Sequence, residues 1–181
     1  MRAPTFAIVL GSMMSMQALA SIPMDDIKVA GTGCKDGNVY VQETSDGVQL
    51  LFNDLYVETG DGNRSINRKA CNLAIPAQVP DGKRMVIEEA TLVGISYLDK
   101  QSESKINVST HFAGETAETV SESNTKKGLK FSYLENSGTI SSNCGQDVIV
   151  RAKASATLKG KSGYNLLYLS KLKLNYHLED C

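Results

Sequence analysis

The chain has 181 residues, 41% hydrophobic and 22% charged, with 19 Lys and Arg against 20 Asp and Glu and a formal net charge of −1. That length and balance suit one globular domain with a core of its own, and exclude a disordered tail or the basic excess that a nucleic-acid partner demands. With 2 His and no Trp, the commonest neutral-pH base has few representatives.

Arg2 followed by the apolar or small run Phe6 to Leu19 has the n-region and h-region of a signal peptide, too short and interrupted to span a bilayer. Ala18-Leu19-Ala20 is a small-x-small cleavage pattern, so residues 1–20 are expected to be removed, leaving residues 21–181 as a single β-sandwich domain. No Cys stands at the cleavage point to take a lipid, and no later run approaches membrane-spanning length. The expected location is secreted, extracellular or periplasmic. Asn63-Arg64-Ser65 and Asn107-Val108-Ser109 are glycan-acceptor triplets that matter only in a eukaryotic pathway.

After residue 27 the dominant period is two. Strands are predicted over 38–43, 48–58, 72–79, 85–98, 106–112, 129–133, 148–158 and 172–178. The clearest are Val148, Val150, Ala152, Ala154, Ala156 and Leu158, and then Leu172, Leu174, Tyr176 and Leu178. The IEEAT stretch, 87–91, is kept as strand because its neighbours are β-branched or apolar. Turn pairs such as Asp46-Gly47, Asp61-Gly62, Asp81-Gly82 and Ser162-Gly163 punctuate the strands. The polar segment 114–127 reads as an exposed loop or a twisted edge. The predicted class is all-β: an antiparallel β-sandwich, jelly-roll-like or a flattened barrel, stapled by two disulfides.

Cys34, Cys71, Cys144 and Cys181 are an even set in an exported chain, which favours disulfides over zinc, whose ligands come in close pairs. Three pairings are open. The preferred one, Cys34 with Cys71 and Cys144 with Cys181, closes two loops of equal length, and the terminal Cys181 then pins a final strand that would otherwise fray.

The run Ala30-Gly31-Thr32-Gly33-Cys34-Lys35-Asp36-Gly37-Asn38-Val39 resembles the opening of the domain of unknown function 4360 family of exported fungal and bacterial proteins. Leu51 to Val57, Arg68-Lys69-Ala70-Cys71-Asn72-Leu73, Val79-Pro80-Asp81-Gly82, Cys144-Gly145 and the closing Cys181 follow in the family's order, so the resemblance covers about residues 27–181. It implies a secreted, disulfide-stapled β domain and little chemistry. Members often carry a Trp in the last strand and a Pro before the third cysteine; here the last strand has Tyr176 and His177, and Asn143 precedes Cys144. Any binding role of that Trp is therefore in doubt here.

Candidate chemistry is sparse. His111 and His177 each stand in an alternating segment and read as outward strand residues, and no G-x-S-x-G frames a Ser. Asp54, Glu58, Asp61 and Asn63 gather hard oxygen ligands around one turn and are the candidate calcium site, against the plainer reading of a solvated loop. No other cofactor is expected. Glu88 and Glu89 are adjacent strand residues facing opposite sides, a poor glycosidase pair, while Glu115, Glu118 and Glu122 solubilise a loop. Gly31-Thr32-Gly33-Cys34 lacks the Lys and helix of a phosphate loop and reads as a lead-in turn around a disulfide. Seven Tyr, on an exposed face, would suit sugars or a protein surface; at strand spacing most are expected in the core or at its rim.

The functional expectation is an exported, non-enzymatic module of the surface or extracellular space, binding a glycan, envelope polymer or surface protein, without nucleic acid and without a membrane span. The alternatives are a secreted hydrolase or lyase built on carboxylates that only the fold brings together, and a secreted inhibitor or effector of a foreign protein. A cleft with paired acids favours the enzyme; a flat tyrosine-rich face favours binding.

Overall fold

Strands with one apolar face must bury it against another sheet. The computed structural model describes residues 21–181 apart from Asp36, Asn63 and Lys100, and shows two antiparallel sheets packed on one shared core. The predicted signal peptide lies outside the described residues.

A short 3-10 turn, Met24–Asp26, leads into β1 (Lys28–Ala30), β2 (Val39–Thr44), β3 (Gly47–Phe52), β4 (Tyr56–Gly60), β5 (Ile66–Ala77) and β6 (Lys83–Leu98). There follow β7 (Glu103–Phe112), β8 (Glu118–Asn124), β9 (Gly128–Asn136), β10 (Ile140–Ser141), β11 (Val148–Lys159) and β12 (Tyr164–Asp180). One sheet runs β1-β5-β11-β7-β8. The other runs β10-β6-β12-β3-β2, with β9 also paired to β6 and β4 also paired to β12. Among the described residues no helix is long and apolar enough to cross a membrane.

The core follows the sequence alternation. In β11, Val150, Ala152, Ala154, Ala156 and Leu158 are buried, while Leu167, Leu169, Leu172 and Leu174 come from β12. The alanines leave room for leucines where these two strands pack across the sandwich. Each fully buried leucine contributes roughly 1.5–3 kcal/mol.

Several predicted boundaries shift, β12 among them, which begins at Tyr164 rather than at 172. The run expected over 48–58 is two strands, because Asn53-Asp54-Leu55 leaves the ladder and Leu55 drops into the core, its carbonyl accepting the Leu169 amide. β3 and β4 therefore pair with different halves of β12, and the hand-over falls at a register shift between Leu169 and Lys171, where the Ser170 hydroxyl donates to the Val93 carbonyl. A second shift, between Asn175 and Tyr176, leaves Glu88 as the unpaired residue of β6. The polar segment 114–127 contains the edge strand β8, whose pairing with β7 uses backbone groups that need no apolar side chain. β5 and β7 also start earlier than their apolar alternation does.

Both disulfides pair sequentially, Cys34 with Cys71 and Cys144 with Cys181, each with a separation of 37 residues. The lead-in turn lies flat on β5: Gly33 N donates to Ala70 O, and Ala70 N to the Thr32 hydroxyl. A Cβ on Gly31, at φ 139°, would sit 2.2 Å from the Ala70 oxygen, so only glycine fits there.

Candidate binding faces

The outer face of the second sheet is where most of the tyrosines go. None of the seven lies in the buried core: Tyr40, Tyr56, Tyr97, Tyr133 and Tyr164 are exposed, and Tyr168 and Tyr176 are half-buried. Most are expected in the core or at its rim; of the seven, Tyr176 packs against the core and five are exposed. The phase of each strand decides it: in β6, Leu92, Gly94, Ser96 and Leu98 point inward, so Val93, Ile95 and Tyr97 must point out.

Pairing aligns these outward residues in rows. Leu129, Tyr97, Leu166 and Glu58 stand side by side across β9, β6, β12 and β4. The next row is Phe131, Ile95, Tyr168 and Tyr56. The third, Tyr133, Val93, Lys171, Leu51 and Tyr40, crosses five strands, about 20 Å at ordinary strand spacing. Beyond it the row Glu135, Thr91, Lys173, Gln49 and Gln42 is polar and ends the patch. On β9 the exposure is high, 64% for Leu129, 71% for Phe131 and 63% for Tyr133.

Polar contacts fix the phenols at the β4 end. Tyr168 donates to the Phe52 carbonyl at 2.6 Å, Tyr164 donates to Glu58 Oε1 at 2.9 Å, and the Lys69 ammonium lies 4.4 Å from the centre of the Tyr56 ring. Glu58 beside it raises the Tyr164 pKa above the ordinary tyrosine value, because the hydrogen bond favours the neutral phenol. Tyr97 and Tyr164 meet with ring centroids 6.4 Å apart. The β4 end is thus pre-ordered, while Leu129, Phe131 and Tyr133 stand free.

The outer face of the first sheet has the opposite chemistry. Its centre is a trough of about 560 Å³ lined by Lys28, Asn72, Ser109, His111, Thr119, Arg151 and Lys153, with Ala30, Ala74, Ala113 and Ala117 keeping it open. A second depression of about 220 Å³ shares Ser109, Thr119 and Lys153 and continues to Arg68. Neither is lined by an Asp or Glu among the described residues. Ser155 is buried in this floor and accepts from the Asn107 amide at 2.9 Å. The acceptor triplet Asn107-Val108-Ser109 is therefore part of the trough itself.

The acids expected to act together do separate work. Lys69 Nζ lies 3.6 Å from the Asp54 carboxylate, Glu58 takes the Tyr164 hydroxyl, and Asp61 Oδ1 accepts the Gly163 amide at 3.1 Å. Asn63 lies outside the described residues. Among the described residues no three His, Cys, Asp or Glu side chains converge as metal ligands do. Glu88 faces His177 Nδ1 at 3.3 Å, whereas Glu89 accepts from the Thr91 hydroxyl. His177 also contacts Glu179, and Glu122 pairs with Lys130. His111, on the outer side of β7, has a buried Nδ1 without a hydrogen-bond partner.

Sequence reasoning singled out His111 and the Asn107-Val108-Ser109 triplet, but none of the trough's cations as a binding residue. These cations are scattered from residue 28 to residue 153, and only strand order brings them together.

Among solved structures, TmCBM61 in complex with β-1,4-galactotriose is 14% identical, with a TM-score of 0.32 over 87% of this chain and 90% of that one. The enzymatically active domain of bacteriophage CBA120 tailspike protein 4 is 11% identical, with a TM-score of 0.28 over 86% of this chain and 20% of that one. Overlaps this loose bear on neither fold nor ligand. No curated protein matches the chain. The family match is of a different order, spanning residues 20–176 and both halves of the sandwich: the chain belongs to the Domain of unknown function (DUF4360) family.

Proposed function

We propose that this chain is an exported, non-enzymatic recognition module whose aromatic outer face binds an extracellular glycan. The observation that carries this reading is the continuous apolar-aromatic patch across β9, β6, β12 and β4, with Phe131 and Tyr133 free at its rim. A soluble domain rarely leaves so contiguous a patch open without a partner, least of all on an edge strand. Aromatic rings offer planes to the C–H faces of sugar rings, and the phenols and Glu58 offer hydrogen bonds to the hydroxyls. The two disulfides suit an oxidising compartment, in keeping with export.

The test is depletion of the purified, oxidised protein by a panel of insoluble polysaccharides, with and without calcium. Saturable binding without product release is expected, weakened about tenfold by Phe131→Ala with Tyr133→Ala, the loss of roughly 1.4 kcal/mol of stacking. Loss of binding on chelation would bring calcium at Asp54, Glu58, Asp61 and Asn63 into the site. Binding that ignores the double variant, or soluble sugar released from the matrix, would refute the proposal.

A further inference from the structure

The first sheet carries a site of its own. On its outer face, pairing sets Lys28, Ala74, Arg151 and His111 in one row and Ala30, Asn72, Lys153, Ser109 and Thr119 in the next. Arg68 closes the other end, six residues along β5 from Ala74, about 20 Å away at strand rise. Six acids pair elsewhere: Asp46, Asp54, Asp180, Glu103, Glu122 and Glu179 take cations outside the trough. Lys28, Arg68, Arg151 and Lys153 join no ion pair among the described residues, although all four are exposed on one concave surface.

A chain with net charge −1 that gathers unpaired cations in a trough with no acid in its lining has built a local positive field for an anion. The trough is a channel rather than a pocket, so it suits a polymer laid across strands. Between the cations stand neutral hydrogen-bonding groups, Asn72, Ser109 and Thr119, which match hydroxyls rather than more charge. Small Ala side chains leave space for a ring, and no aromatic other than His111 is present to stack a base. Arg151 has the planar fork that takes a carboxylate through two parallel hydrogen bonds.

We infer that this trough is an anion-binding site for an acidic polysaccharide, one that presents carboxylates at intervals along a hydroxyl-rich chain. Lys28 and Arg151, two strands or about 10 Å apart, take successive carboxylates, while Lys153 and Arg68 extend the contact along the strands. The site lies on the opposite sheet from the aromatic face, so the two stand or fall separately.

Affinity electrophoresis of the full chain tests this, with polygalacturonate, dextran sulfate, neutral galactan or duplex DNA in the gel. Polygalacturonate should retard the protein, increasingly so at low salt, and neutral galactan should not do so through this trough. Arg151→Ala with Lys153→Ala should weaken retardation about tenfold. Because both side chains are exposed, that variant keeps the wild-type melting temperature. Phe131→Ala with Tyr133→Ala should leave retardation by polygalacturonate intact, which separates failure here from failure of the aromatic reading. In NMR titrations with oligogalacturonate, the His111 ring protons should move and those of Tyr133 should not. Absence of retardation, retardation that survives the Arg151 and Lys153 changes, or stronger retardation by dextran sulfate or DNA would overturn the inference.

Discussion

Cys144→Ala with Cys181→Ala isolates what a disulfide does to the unfolded chain. Both residues are exposed, so their removal opens no core cavity. The end of β12 stays tied by Arg84 with Glu179 at 2.6 Å and by the Cys181 amide on the Gly82 carbonyl at 2.9 Å. The native state therefore loses little besides the bond. Freed of a 37-residue separation, the unfolded chain gains about 13 cal/mol/K, or roughly 4 kcal/mol at 25 °C. With a specific unfolding entropy of about 2.1 cal/mol/K per residue over some 160 residues, this lowers the melting temperature by about 12 °C.

The second staple provides the control, since its separation is also 37 residues but its sulfurs belong to the core, Cys34 at 2% and Cys71 at 0% exposure. Cys34→Ala with Cys71→Ala should show the same entropic loss plus a cavity cost of about 1–2 kcal/mol, a deeper fall by several degrees. Calorimetry of the three proteins, with thiol titration of the wild type, measures both effects. A shift under about 2 °C for the exposed pair, or a larger loss there than for the buried pair, would refute the reasoning.

Two further outcomes follow from local geometry. Gly60 has φ 119°, and a Cβ there would lie 1.6 Å from the Gly163 carbonyl oxygen, so Gly60→Ala should destabilise by more than about 1 kcal/mol in urea titration, whereas Gly62→Ala, with open space around it, should lose less. The Glu179 carboxyl is held below the ordinary glutamate value, first by the Arg84 hydrogen bond and then by His177. Its contribution is fully present above the unfolded value, about pH 4.3, and is lost as pH falls through the lower folded value. Glu179→Gln should therefore flatten the acid limb of the stability profile and leave the alkaline limb unchanged.

The parts of this fold legible in the sequence were those governed by neighbours along the chain. Alternation in β11 located its buried alanines, and Asp-Gly pairs located turns, because both depend on local backbone geometry. Equal loop lengths favour the sequential disulfides, and the fold has them. What escaped is what strand order decides. Alternation says that Tyr97 and Leu98 face opposite ways but not which way is out; that depends on the sheet that covers Leu98. The aromatic rows need the register of β9 on β6 and of β6 on β12, and the basic trough needs residues 28, 68, 151 and 153 on one surface. Asp54, Glu58 and Asp61, close in sequence, stand on an irregular segment, a strand and a turn, and each meets its own partner.

The pairing of consecutive cysteines has a consequence for how the protein is made. A chain threaded N-terminus first into an oxidising space exposes Cys34 and Cys71 long before Cys144, so an oxidant that joins thiols in order of arrival forms the native first bond without competition. The second bond must wait for Cys181 and closes only when β12 has emerged. Oxidation in that order needs no reshuffling by an isomerase.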